Sequence, residues 1–430
     1  MQKTDIIIIG GGPGGYETAA EAAARGLNVI LFEKDLLGGT CLNRGCIPTK
    51  CLCAAAETIE TIRSASAFGI ETTCSPSFAK AAERASTVVA ELRDGIAGLL
   101  DKVKIIHAEA RIASGRRVIA NDEEYTADRI IISTGSRPAL LRNINPGLYH
   151  TSDDFLRLSE LPERLVVVGG GVIGLELASI ARSFGSEVTV IEYCKEILPG
   201  LDSEIAKRLR TQLSKRGIRF VTDAAVSAIT ADSTVSYTRK GKDDAVAGDY
   251  VLAAVGRRPV IPEGCEEAGI RLTDRGYIAT DDDFRTSVEG IYAIGDVNGI
   301  CMLAHAASAQ GRRVLGIPTE LSVIPSVVFT IPECAFVRRR GIETETESVK
   351  IPYGANGKAL ASGQEGLLKL EYDPSTQKLT GCSAIGPHAA DIVAEATLAI
   401  ASGMTAEELC RTVHAHPTLS ELLVMAAARI

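Results

Sequence analysis

The chain has 430 residues, which is long for one domain and suits two to four packed domains with a cleft between them. Its 46 lysines and arginines against 54 aspartates and glutamates give a formal charge of -8, and without a basic block or many aromatic residues we expect no nucleic-acid partner. The longest purely aliphatic runs, Ile6 to Ile9 and Leu165 to Val168, fall far short of the ~20 residues that span a bilayer, so we expect a soluble protein and no membrane partner.

Two further features bear on where the chain works. The first apolar run leads straight into glycines and not into a small-residue cleavage site, so we expect no secretory leader and a cytoplasmic location. Eleven cysteines are scattered through the chain, which is not the pattern of a small secreted disulfide scaffold. We therefore expect most of them to be reduced, buried and inert.

The chain opens with a strand that runs into a G-x-G-x-x-G turn formed by Gly10, Gly12 and Gly15. An alanine-rich helix follows, and a second strand ends at Glu33. Glycine permits the tight turn and the close approach of a ligand, and the helix N-terminus presents unpaired N–H groups to a pyrophosphate. The acid can accept hydrogen bonds from ribose hydroxyls. A single pattern of this kind fits a flexible loop as readily as a dinucleotide site.

Cys41 and Cys46 stand five residues apart directly after this unit, in a glycine-flanked segment that enters a helix. On an ideal helix their Cα atoms would lie about 8.6 Å apart, whereas a disulfide requires about 4.4 to 6.8 Å. A bond between them would need a distorted turn and would be easily reduced, which suits a catalytic disulfide. Lys50 lies one helical turn beyond Cys46 and can favour a thiolate there.

The cysteine pair also has two simpler interpretations. Both residues would be free and buried at a helix start in the first, and would bind a metal in the second, although a five-residue spacing is unusual for zinc and no second pair is evident. The adjacent dinucleotide unit favours redox activity over both. Cys51 repeats the five-residue spacing from Cys46, but we interpret Cys51 and Cys53 as small residues that pack the helix.

The strand, turn, helix and strand recur 159 residues further along the chain. Gly169, Gly171 and Gly174 form the turn, and the second strand ends at Glu192, which follows the first glycine by 23 residues, as Glu33 follows its own. Two copies in the same context predict two dinucleotide sites, and a chain with two different dinucleotides is arranged to pass electrons between them. Because no arginine cluster follows Glu192 to meet a 2′-phosphate, the second site should prefer NAD to NADP.

Two of the six histidines, His414 and His416, stand near the C-terminus, followed by Pro417 and Glu421. Disulfide exchange with a dithiol needs a proton acceptor for one sulfur and a donor for the other, and histidine titrates in the required range. A neighbouring carboxylate would orient the ring and raise its basicity. A metal pair and simple surface histidines are the alternatives.

Together these segments resemble the pyridine nucleotide-disulfide oxidoreductases with a two-cysteine active site, and within that family the dihydrolipoamide dehydrogenases. The resemblance runs nearly end to end. The segment GGTCLNRGCIPTK is similar to the family's redox-disulfide signature, and HAHPTLSE is similar to its C-terminal acid–base signature. Other similar segments are STGSRP, VGRRP, YAIGDV, MLAH and IPSVVFTIPE.

The resemblance implies that the first glycine turn and Glu33 hold FAD, with Asp296 reaching its ribityl and phosphate region and the segment after Leu303 lying beside its ring. Cys46 would be the thiol that faces the flavin, and Cys41 would exchange with the substrate. The full set of implied cofactor-binding residues is Gly10, Gly12, Pro13, Gly14, Gly15, Glu33, Lys34, Gly39, Thr40, Lys50, Thr134, Gly135, Gly169, Gly171, Gly174, Glu192, Gly256, Gly295, Asp296, Met302, Leu303, Ala304 and His305.

The same resemblance assigns the remaining catalytic residues. Lys50 would sit beside the flavin and pair with Glu176, and the second glycine turn with Glu192 would hold NAD. His416 would be the base and Glu421 its partner. In the family this pair comes from the other subunit, so the resemblance implies a homodimer in which a monomer has no complete site.

We therefore predict an α/β protein with two Rossmann-like dinucleotide-binding domains, for FAD and NAD, and an α+β C-terminal dimerisation domain. The predicted domain limits are 1–143 for the FAD domain, 144–257 for the NAD domain, 258–320 for a central segment that packs on the FAD domain, and 321–430 for the interface domain. Short strands followed by helices in the last domain predict an antiparallel sheet with helices on one face.

The resemblance implies an enzyme that oxidises protein-bound dihydrolipoamide to lipoamide with NAD, as the flavoprotein of a 2-oxoacid dehydrogenase or glycine cleavage system. A lipoyl-bearing carrier protein or acyltransferase would be its partner. One alternative is an NAD(P)H-dependent reductase of another disulfide. Another is a non-catalytic flavoprotein docking subunit, which the intact catalytic residues disfavour.

Related reductases differ at places that the sequence shows. Mercuric reductases and the large thioredoxin reductases add a C-terminal cysteine pair, whereas this sequence stops at Ile430 without one. Glutathione-type reductases use NADP and carry basic residues near the position of Glu192.

The sequence also departs from the family pattern. Arg44 puts a positive charge between the thiols, where it could alter their potential, and Ala306 replaces a common lysine. The segment VRRRGIETETES is shortened where relatives carry a helix, and 430 residues is brief for the family.

Overall fold

The computed structural model describes residues 2–430. Its first part builds a sheet around β1, whose isoleucines Ile6 to Ile9 are all buried because the strand is covered on both faces. The elements are β1 (Gln2–Ile9), α1 (Pro13–Ala24), β2 (Val29–Glu33), α2 (Gly39–Arg44), α3 (Cys46–Arg63), α4 (Phe78–Leu99), β3 (Lys104–His107), β4 (Arg111–Ala113), β5 (Arg117–Ala120), β6 (Glu123–Ile132) and β7 (Ser136–Pro138).

This first sheet has the strand order β3-β2-β1-β6-β5-β4. Strands β3, β2, β1 and β6 are parallel, whereas β4 and β5 pair antiparallel at the far edge. The connection from β1 through α1 to β2 is a βαβ unit, so the turn between β1 and α1 lies at the carboxyl edge of the sheet, where open α/β sheets bind ligands.

The second part repeats the βαβ unit in a smaller sheet. Its four parallel strands have the order β10-β9-β8-β14, and β11, β12 and β13 form a separate antiparallel sheet. A two-stranded ribbon of β7 and β15 links the first and second parts. The elements are α5 (Ser152–Phe155), β8 (Arg164–Val168), α6 (Val172–Phe184), β9 (Glu187–Glu192), α7 (Ser203–Lys215), β10 (Ile218–Thr222), β11 (Ala224–Ile229), β12 (Thr234–Arg239), β13 (Lys242–Ala247), β14 (Tyr250–Ala253) and β15 (Arg257–Pro259).

The chain then returns to the first sheet. Strand β16 (Ile291–Ala293) pairs parallel to β6, and α8 (Ala304–Val314) packs against α1. A Cβ atom at Gly14 of α1 would lie 3.1 Å from the Cβ atom of Ala307, so α8 sits closely on the first glycine turn. Short 3-10 turns elsewhere in the chain are Ala65–Phe68, Pro146–Leu148, Gly295–Asn298 and Tyr353–Ala355.

The last part is a five-stranded sheet with the order β17-β18-β21-β20-β19, and all its pairings are antiparallel. The elements are β17 (Ser326–Val328), β18 (Cys334–Arg338), β19 (Glu347–Pro352), α9 (Gly357–Ala361), β20 (Leu367–Tyr372), β21 (Leu379–Ile385), α10 (Ala389–Ala401), α11 (Ala406–Cys410) and α12 (Glu421–Ala427). No helix lies between β18 and β19, as the shortened sequence there predicts.

Alternation along β18 shows how this sheet is held. Ala335 and Val337 face a core that includes residues of α10 and α12. Cys334 and Phe336 face the opposite way, into the core that also contains α6 and α7. The sheet is therefore buried on both faces and joins the last part to the second. Within residues 2–430, no helix is both long and apolar enough to cross a membrane.

Candidate redox site

Cys41 and Cys46 lie on either side of a helix break. Helix α2 ends at Arg44 and α3 begins at Cys46, so the predicted distorted turn falls at Gly45. A Cβ atom at Gly45 would lie 2.9 Å from the carbonyl oxygen of Thr40 and 3.3 Å from the Cα atom of Cys41. Glycine is therefore required here by the backbone of the turn itself. Both cysteines are half-buried and in the thiol form.

The two sulfurs are not equivalent. A hydrogen bond from Cys41, opposed by burial and assisted by the ammonium group of Lys50, lowers the pKa of Cys46 to about 7. The same hydrogen bond and burial raise the pKa of Cys41 well above its usual range. Near neutral pH, Cys46 is therefore the sulfur that carries negative charge, and Cys41 keeps its proton.

The predicted pair of Lys50 and Glu176 is present. The Lys50 Nζ atom lies 2.8 Å from Oε2 of Glu176, which is buried on α6. The backbone N–H of Phe329 donates to the other carboxylate oxygen at 2.9 Å, and the Lys50 Nζ atom lies 4.6 Å from the centre of the Phe329 ring. Burial lowers the pKa of Lys50, but the Glu176 carboxylate outweighs it, so the pKa is raised and the ammonium stays charged beside the thiols.

The first glycine turn has little spare space. Gly10 has a φ of 104°, and a Cβ atom at Gly15 would overlap the carbonyl oxygen of Gly10. The Glu33 carboxylate is buried and accepts the backbone N–H groups of Gly11 at 2.6 Å and Asp35 at 2.7 Å. Glu33 therefore holds the turn in shape from the end of β2, the position from which an acid can reach a ribose hydroxyl in a dinucleotide-binding fold. Glycine turn, helix N-terminus and fixed acid together fit the pyrophosphate and ribose of a dinucleotide.

The second glycine turn has the same construction. Gly169 has a φ of 114°, and a Cβ atom at Gly174 would overlap the carbonyl oxygen of Gly169. The buried Glu192 carboxylate accepts the N–H groups of Gly170 at 2.5 Å and Cys194 at 2.6 Å. This site fits a second dinucleotide by the same criteria.

Asp296 lies in a polar cluster beside the first sheet. Ser136 donates its hydroxyl to Oδ2 of Asp296 at 2.5 Å, and Arg257 Nε donates to the Ser136 hydroxyl oxygen at 2.7 Å. The Arg257 guanidinium is also 3.7 Å from the Asp296 carboxylate. The backbone N–H of Gly295 donates to the side chain of Gln310 on α8. Asp296 is therefore held in place just after β16, at the carboxyl edge of the first sheet.

Other predicted cofactor residues surround the same edge. Thr134 and Gly135 follow β6, and the Thr134 hydroxyl donates to the carbonyl of Val260 at 2.5 Å. A Cβ atom at Gly39 would lie 2.7 Å from the Cα atom of Gly12, so the start of α2, with Thr40, presses against the first turn. Pro13 is the first residue of α1.

The remaining predicted residues lie further out. Met302 and Leu303 lead into α8, and Ala304 and His305 are its first residues. His305 Nε2 is 2.8 Å from the carbonyl oxygen of Pro325. Lys34 extends away to pair with Glu109 at 2.6 Å, and Gly256 precedes β15 with a φ of 110°.

Near the C-terminus, His416 and Glu421 form a hydrogen-bonded pair. His416 Nδ1 lies 2.9 Å from the Glu421 carboxylate, and the Thr418 N–H donates to the same carboxylate at 2.8 Å. These contacts lower the pKa of Glu421, with the Thr418 bond first in size. His414 instead bonds Glu395 at 2.5 Å. The His416 ring is 79% exposed and makes no hydrogen bond to either thiol of the described chain.

Arg44 does not point its charge at the sulfurs. Its guanidinium pairs with the carboxylate of Asp35, two residues beyond the acid of the first turn. Cys53 packs into the core near Phe329, as its helix-packing interpretation predicts. Within residues 2–430, no three histidine, cysteine or acidic side chains are grouped so as to hold a metal ion.

Sequence reasoning missed three residues of this region. Phe329, Ser136 and Arg257 carry the contacts to Glu176 and Asp296 described above. Each lies inside a segment that resembles the family, namely IPSVVFTIPE, STGSRP and VGRRP. The segments therefore carried the signal, but only the fold shows which of their residues meet.

A thiol pair with one acidic sulfur, placed beside one of two dinucleotide turns, defines a disulfide oxidoreductase that works with two nucleotides. Residues 4–311 match the family model described as pyridine nucleotide-disulphide oxidoreductase. Residues 324–427 match the model of that family's dimerisation domain. The chain belongs to the pyridine nucleotide-disulphide oxidoreductase family.

Similar proteins extend over the whole chain. Proteins named dihydrolipoyl dehydrogenase are 40% identical in Geobacillus stearothermophilus and 39% identical in Bacillus subtilis, each alignment covering 99% of this chain and 96% of the relative. Among solved structures, LpdA from Mycobacterium tuberculosis has a TM-score of 0.90 at 28% identity, covering 100% of this chain and 99% of that one. A copper(II) complex of the HOCl-induced flavoprotein disulfide reductase RclA from Escherichia coli has a TM-score of 0.87 at 27% identity, covering 100% of both chains.

These likenesses confirm several predictions made from the sequence. The fold class is confirmed, with dinucleotide-binding domains and a dimerisation domain. The predicted enzyme class of flavoprotein disulfide oxidoreductase and the cofactors FAD and NAD are confirmed as well. The dimerisation domain supports the predicted homodimer.

Proposed function

We propose that the protein is an NAD-dependent dihydrolipoyl dehydrogenase that oxidises a protein-bound dihydrolipoyl group. The observation that carries the proposal is the cysteine pair at the break between α2 and α3, directly after a dinucleotide turn, with the ion pair of Lys50 and Glu176 beside it. The hydrogen bond from Cys41 lowers the pKa of Cys46, so the two thiols are unequal. Relatives with this activity in their names align over 99% of the chain.

The chain's own residues account for the thiol chemistry. In the oxidised enzyme, a deprotonated sulfur of the dihydrolipoyl group attacks Cys41, breaks the Cys41–Cys46 bond and releases Cys46 as a thiolate. The second substrate sulfur then displaces Cys41, which leaves as a thiol, and the lipoyl disulfide forms. The substrate has lost two electrons and two protons, and the cysteine pair has gained the two electrons.

Proton movement is the task proposed for His416. An attacking dithiol must lose a proton, and the imidazole beside Glu421 can accept it because the carboxylate orients the ring and stabilises its cation. The ring is exposed in the single chain, which suits a base that serves the thiols of the second subunit. In the homodimer each thiol pair would therefore face His416 of the partner subunit.

Lys50 and Glu176 are proposed to stabilise the charge left on Cys46. The ammonium group stands near the thiolate while Glu176 and the Phe329 ring hold it in place. When bound, FAD would supply the acceptor for the electron pair of the reduced cysteines, and NAD would supply the final acceptor. The first glycine turn with Glu33, Lys34, Thr40, Thr134, Gly135 and Asp296 is proposed to hold FAD, and the second turn with Glu192 and Gly256 to hold NAD.

The wider organisation follows from the same proposal. Residues 1–143 would form the FAD domain, 144–257 the NAD domain, 258–320 the central segment and 321–430 the interface domain. The pairing of β16 with β6 supports the place of the central segment. The partner would be a lipoyl-bearing carrier protein or acyltransferase of a 2-oxoacid dehydrogenase or glycine cleavage system, in the cytoplasm.

A second candidate is a reductase that uses NADH or NADPH to reduce another small disulfide. The likeness to the flavoprotein disulfide reductase RclA supports this candidate. The acid Glu192 at the end of β9 disfavours NADPH, because a carboxylate would repel a 2′-phosphate.

An anaerobic titration of the purified holoenzyme with dihydrolipoamide tests the proposal. We expect one equivalent to change the flavin absorbance and to produce a long-wavelength band from the contact of the Cys46 thiolate with the flavin. Later addition of NAD should yield NADH, and NADP should yield far less. A holoenzyme that ignores dihydrolipoamide but turns over another disulfide with NADH or NADPH would contradict the proposal and favour the second candidate.

A further inference from the structure

Asn43 lies between the two cysteines and turns its side chain back on the loop that leads into them. Its Nδ2 atom donates to the carbonyl oxygens of Leu37 and Gly39, both at 2.9 Å. The carbonyl of Leu36 lies further away, at 3.5 Å. One side chain thus ties the residues before Cys41 to the end of α2, close to the break between the thiols.

The acceptor of the same amide is used by a distant residue. Arg93, 50 residues further on in α4, donates its Nε–H to Oδ1 of Asn43 at 3.1 Å. A guanidinium can only donate, and the carbonyls of Leu37 and Gly39 can only accept. If the Asn43 amide were rotated by half a turn, its NH2 group would face the N–H of Arg93 and its oxygen would face the two carbonyl oxygens. Arg93 therefore fixes which way the Asn43 amide faces.

This arrangement bears on the thiols through the shape of the turn. The Cys41 to Cys46 contact exists because α2 stops at Arg44 and α3 starts afresh at Cys46. A continuous helix would hold the two Cα atoms about 8.6 Å apart, too far for a disulfide. The Asn43 bonds pin the loop that carries α2, so they help to keep the short helix and its Cys41 in place.

We propose that Asn43 is a positioning residue for the redox cysteine pair and that Arg93 acts on the thiols through Asn43. Neither residue is assigned contact with substrate or cofactor. The role rests on the proposed function in one respect only, which is that the cysteine pair is the redox centre. It predicts that loss of the Arg93 hydrogen bond alters the Cys46 thiol although Arg93 lies on another helix.

The test measures thiol reactivity directly, on the reduced holoenzyme and without substrate. The rate at which iodoacetamide alkylates Cys46 is followed against pH, because only the thiolate reacts. In the unaltered protein we expect the rate to rise with a midpoint near pH 7, in line with the pKa of about 7 for Cys46. Dihydrolipoamide turnover and the flavin content are measured on the same samples.

Four variants separate the possible causes. Arg93→Ala removes the donor to Asn43, whereas Arg93→Gln keeps an N–H donor at the position of Nε and loses the charge and the two outer nitrogens of the guanidinium. Arg84→Ala is the matched control, because Arg84 is an exposed arginine of α4 with no hydrogen bond or ion pair among residues 2–430. Asn43→Ala removes the hydrogen bonds to Leu37, Gly39 and Arg93 together.

We expect Arg93→Ala to raise the alkylation midpoint by at least half a pH unit and to lower kcat about fivefold with an unchanged KM, and Arg93→Gln to restore both to within about twofold. Asn43→Ala should show the larger change.

If Arg93→Ala and Arg93→Gln both behave like Arg84→Ala, or if Arg93→Gln is as impaired as Arg93→Ala, the proposal is overturned. If Asn43→Ala does not fold, the two Arg93 variants still decide. A failure of dihydrolipoamide turnover in the unaltered enzyme would count against the proposed function alone, since alkylation needs no substrate.

Discussion

The two glycine turns have nearly the same conformation and hydrogen bonds, yet their surroundings differ. In both, the acid at the end of the second strand accepts two backbone N–H groups at 2.5 to 2.7 Å. One comes from the glycine that follows the first glycine of the turn, Gly11 or Gly170, and the other from the residue two positions after the acid. In both, a buried strand leads into a glycine with a φ above 100°. The shared bonds show that each acid holds its own turn together.

What covers each turn is different. The start of α2 presses on the first turn, where Gly39 lies against Gly12, and α8 packs against Gly14. A Cβ atom at Gly171, the counterpart of Gly12, would meet no atom within 4 Å. The enclosed turn suits a cofactor that stays bound, and the open turn suits one that comes and goes. Only the enclosed turn is followed by a cysteine pair.

Removing that pair should have the largest effect. For Cys41→Ser and for Cys46→Ser we expect dihydrolipoamide oxidation to fall by at least about a thousandfold, because a hydroxyl cannot form the exchanging disulfide. Flavin content should stay normal, since the hydroxyl is close in size to the thiol. The matched control is Cys51→Ser, five residues beyond Cys46 on the same helix, for which we expect nearly full activity. Either active-site variant retaining a tenth of the activity would refute the assigned roles.

Neither glycine unit supplies a proton acceptor, so the base must come from elsewhere. For His416→Gln we expect a loss of about a hundredfold in kcat, the scale of a positioned acid–base group. The thiol alkylation profile and the flavin content should not change. His414→Gln is the control, because His414 is bonded to Glu395 within its own chain. A loss below threefold for His416→Gln, measured by steady-state kinetics, would remove His416 from the mechanism.

The parallel between the two turns also shows what the sequence could predict. The equal spacing of Gly10 to Glu33 and Gly169 to Glu192 is a local property of a βαβ unit, so it predicted both turns with an acid at the end of each second strand. The burial of both acids is visible only in the structure. The pairing of Lys50 with Glu176 came from resemblance, and the structure has it at 2.8 Å. Local pattern and family signature were sufficient for these.

Contacts between distant segments could not be predicted in this way. Arg93 meets Asn43 because α4 packs along α2 and α3, and no periodicity in the sequence encodes which side chains then touch. Phe329 reaches Glu176 only because the last sheet is buried against α6. The sequence placed Arg44 between the thiols, but the direction of its side chain depends on where Asp35 lies after the turn has folded.

Paired alanine substitutions would sharpen the comparison of the two turns. Gly12 and Gly171 have the same extended backbone, with φ of -72° and -79°, so alanine fits the chain at both. The new methyl group would instead occupy the space where the backbone approaches a pyrophosphate. We expect Gly12→Ala to lower flavin retention, and Gly171→Ala to raise the KM for NAD on the order of tenfold with normal flavin content.

Flavin absorbance per subunit and the KM for NAD distinguish the two outcomes. If Gly171→Ala lost flavin while Gly12→Ala kept it, the assignment of the two nucleotides to the two turns would be reversed. If both variants lost flavin, the open turn would not be a separate site for an exchanging nucleotide.

The smallest effect should come from Arg44, the charge that the sequence places between the thiols. A comparison with the second turn explains why: there too an acid shortly after the strand, Glu196, pairs with an arginine, Arg210, at 2.6 Å. In both copies the ion pair stabilises the loop that follows the buried acid of the turn, Glu33 or Glu192. The Arg44 and Asp35 side chains are 31% and 44% exposed, and such surface pairs contribute about 0 to 1 kcal/mol.

We therefore expect Arg44→Val to change kcat less than about threefold and to leave the pH midpoint of Cys46 alkylation unmoved, because an exposed charge already paired with Asp35 acts weakly on a half-buried sulfur. Arg44→Val combined with Asp35→Asn removes both charges and should behave like the single variant. A midpoint that rises by a full pH unit in Arg44→Val would show instead that the guanidinium does stabilise the thiolate. The chain would then hold its redox pair with a second cation besides Lys50, and the likeness between the two loops would be one of shape alone.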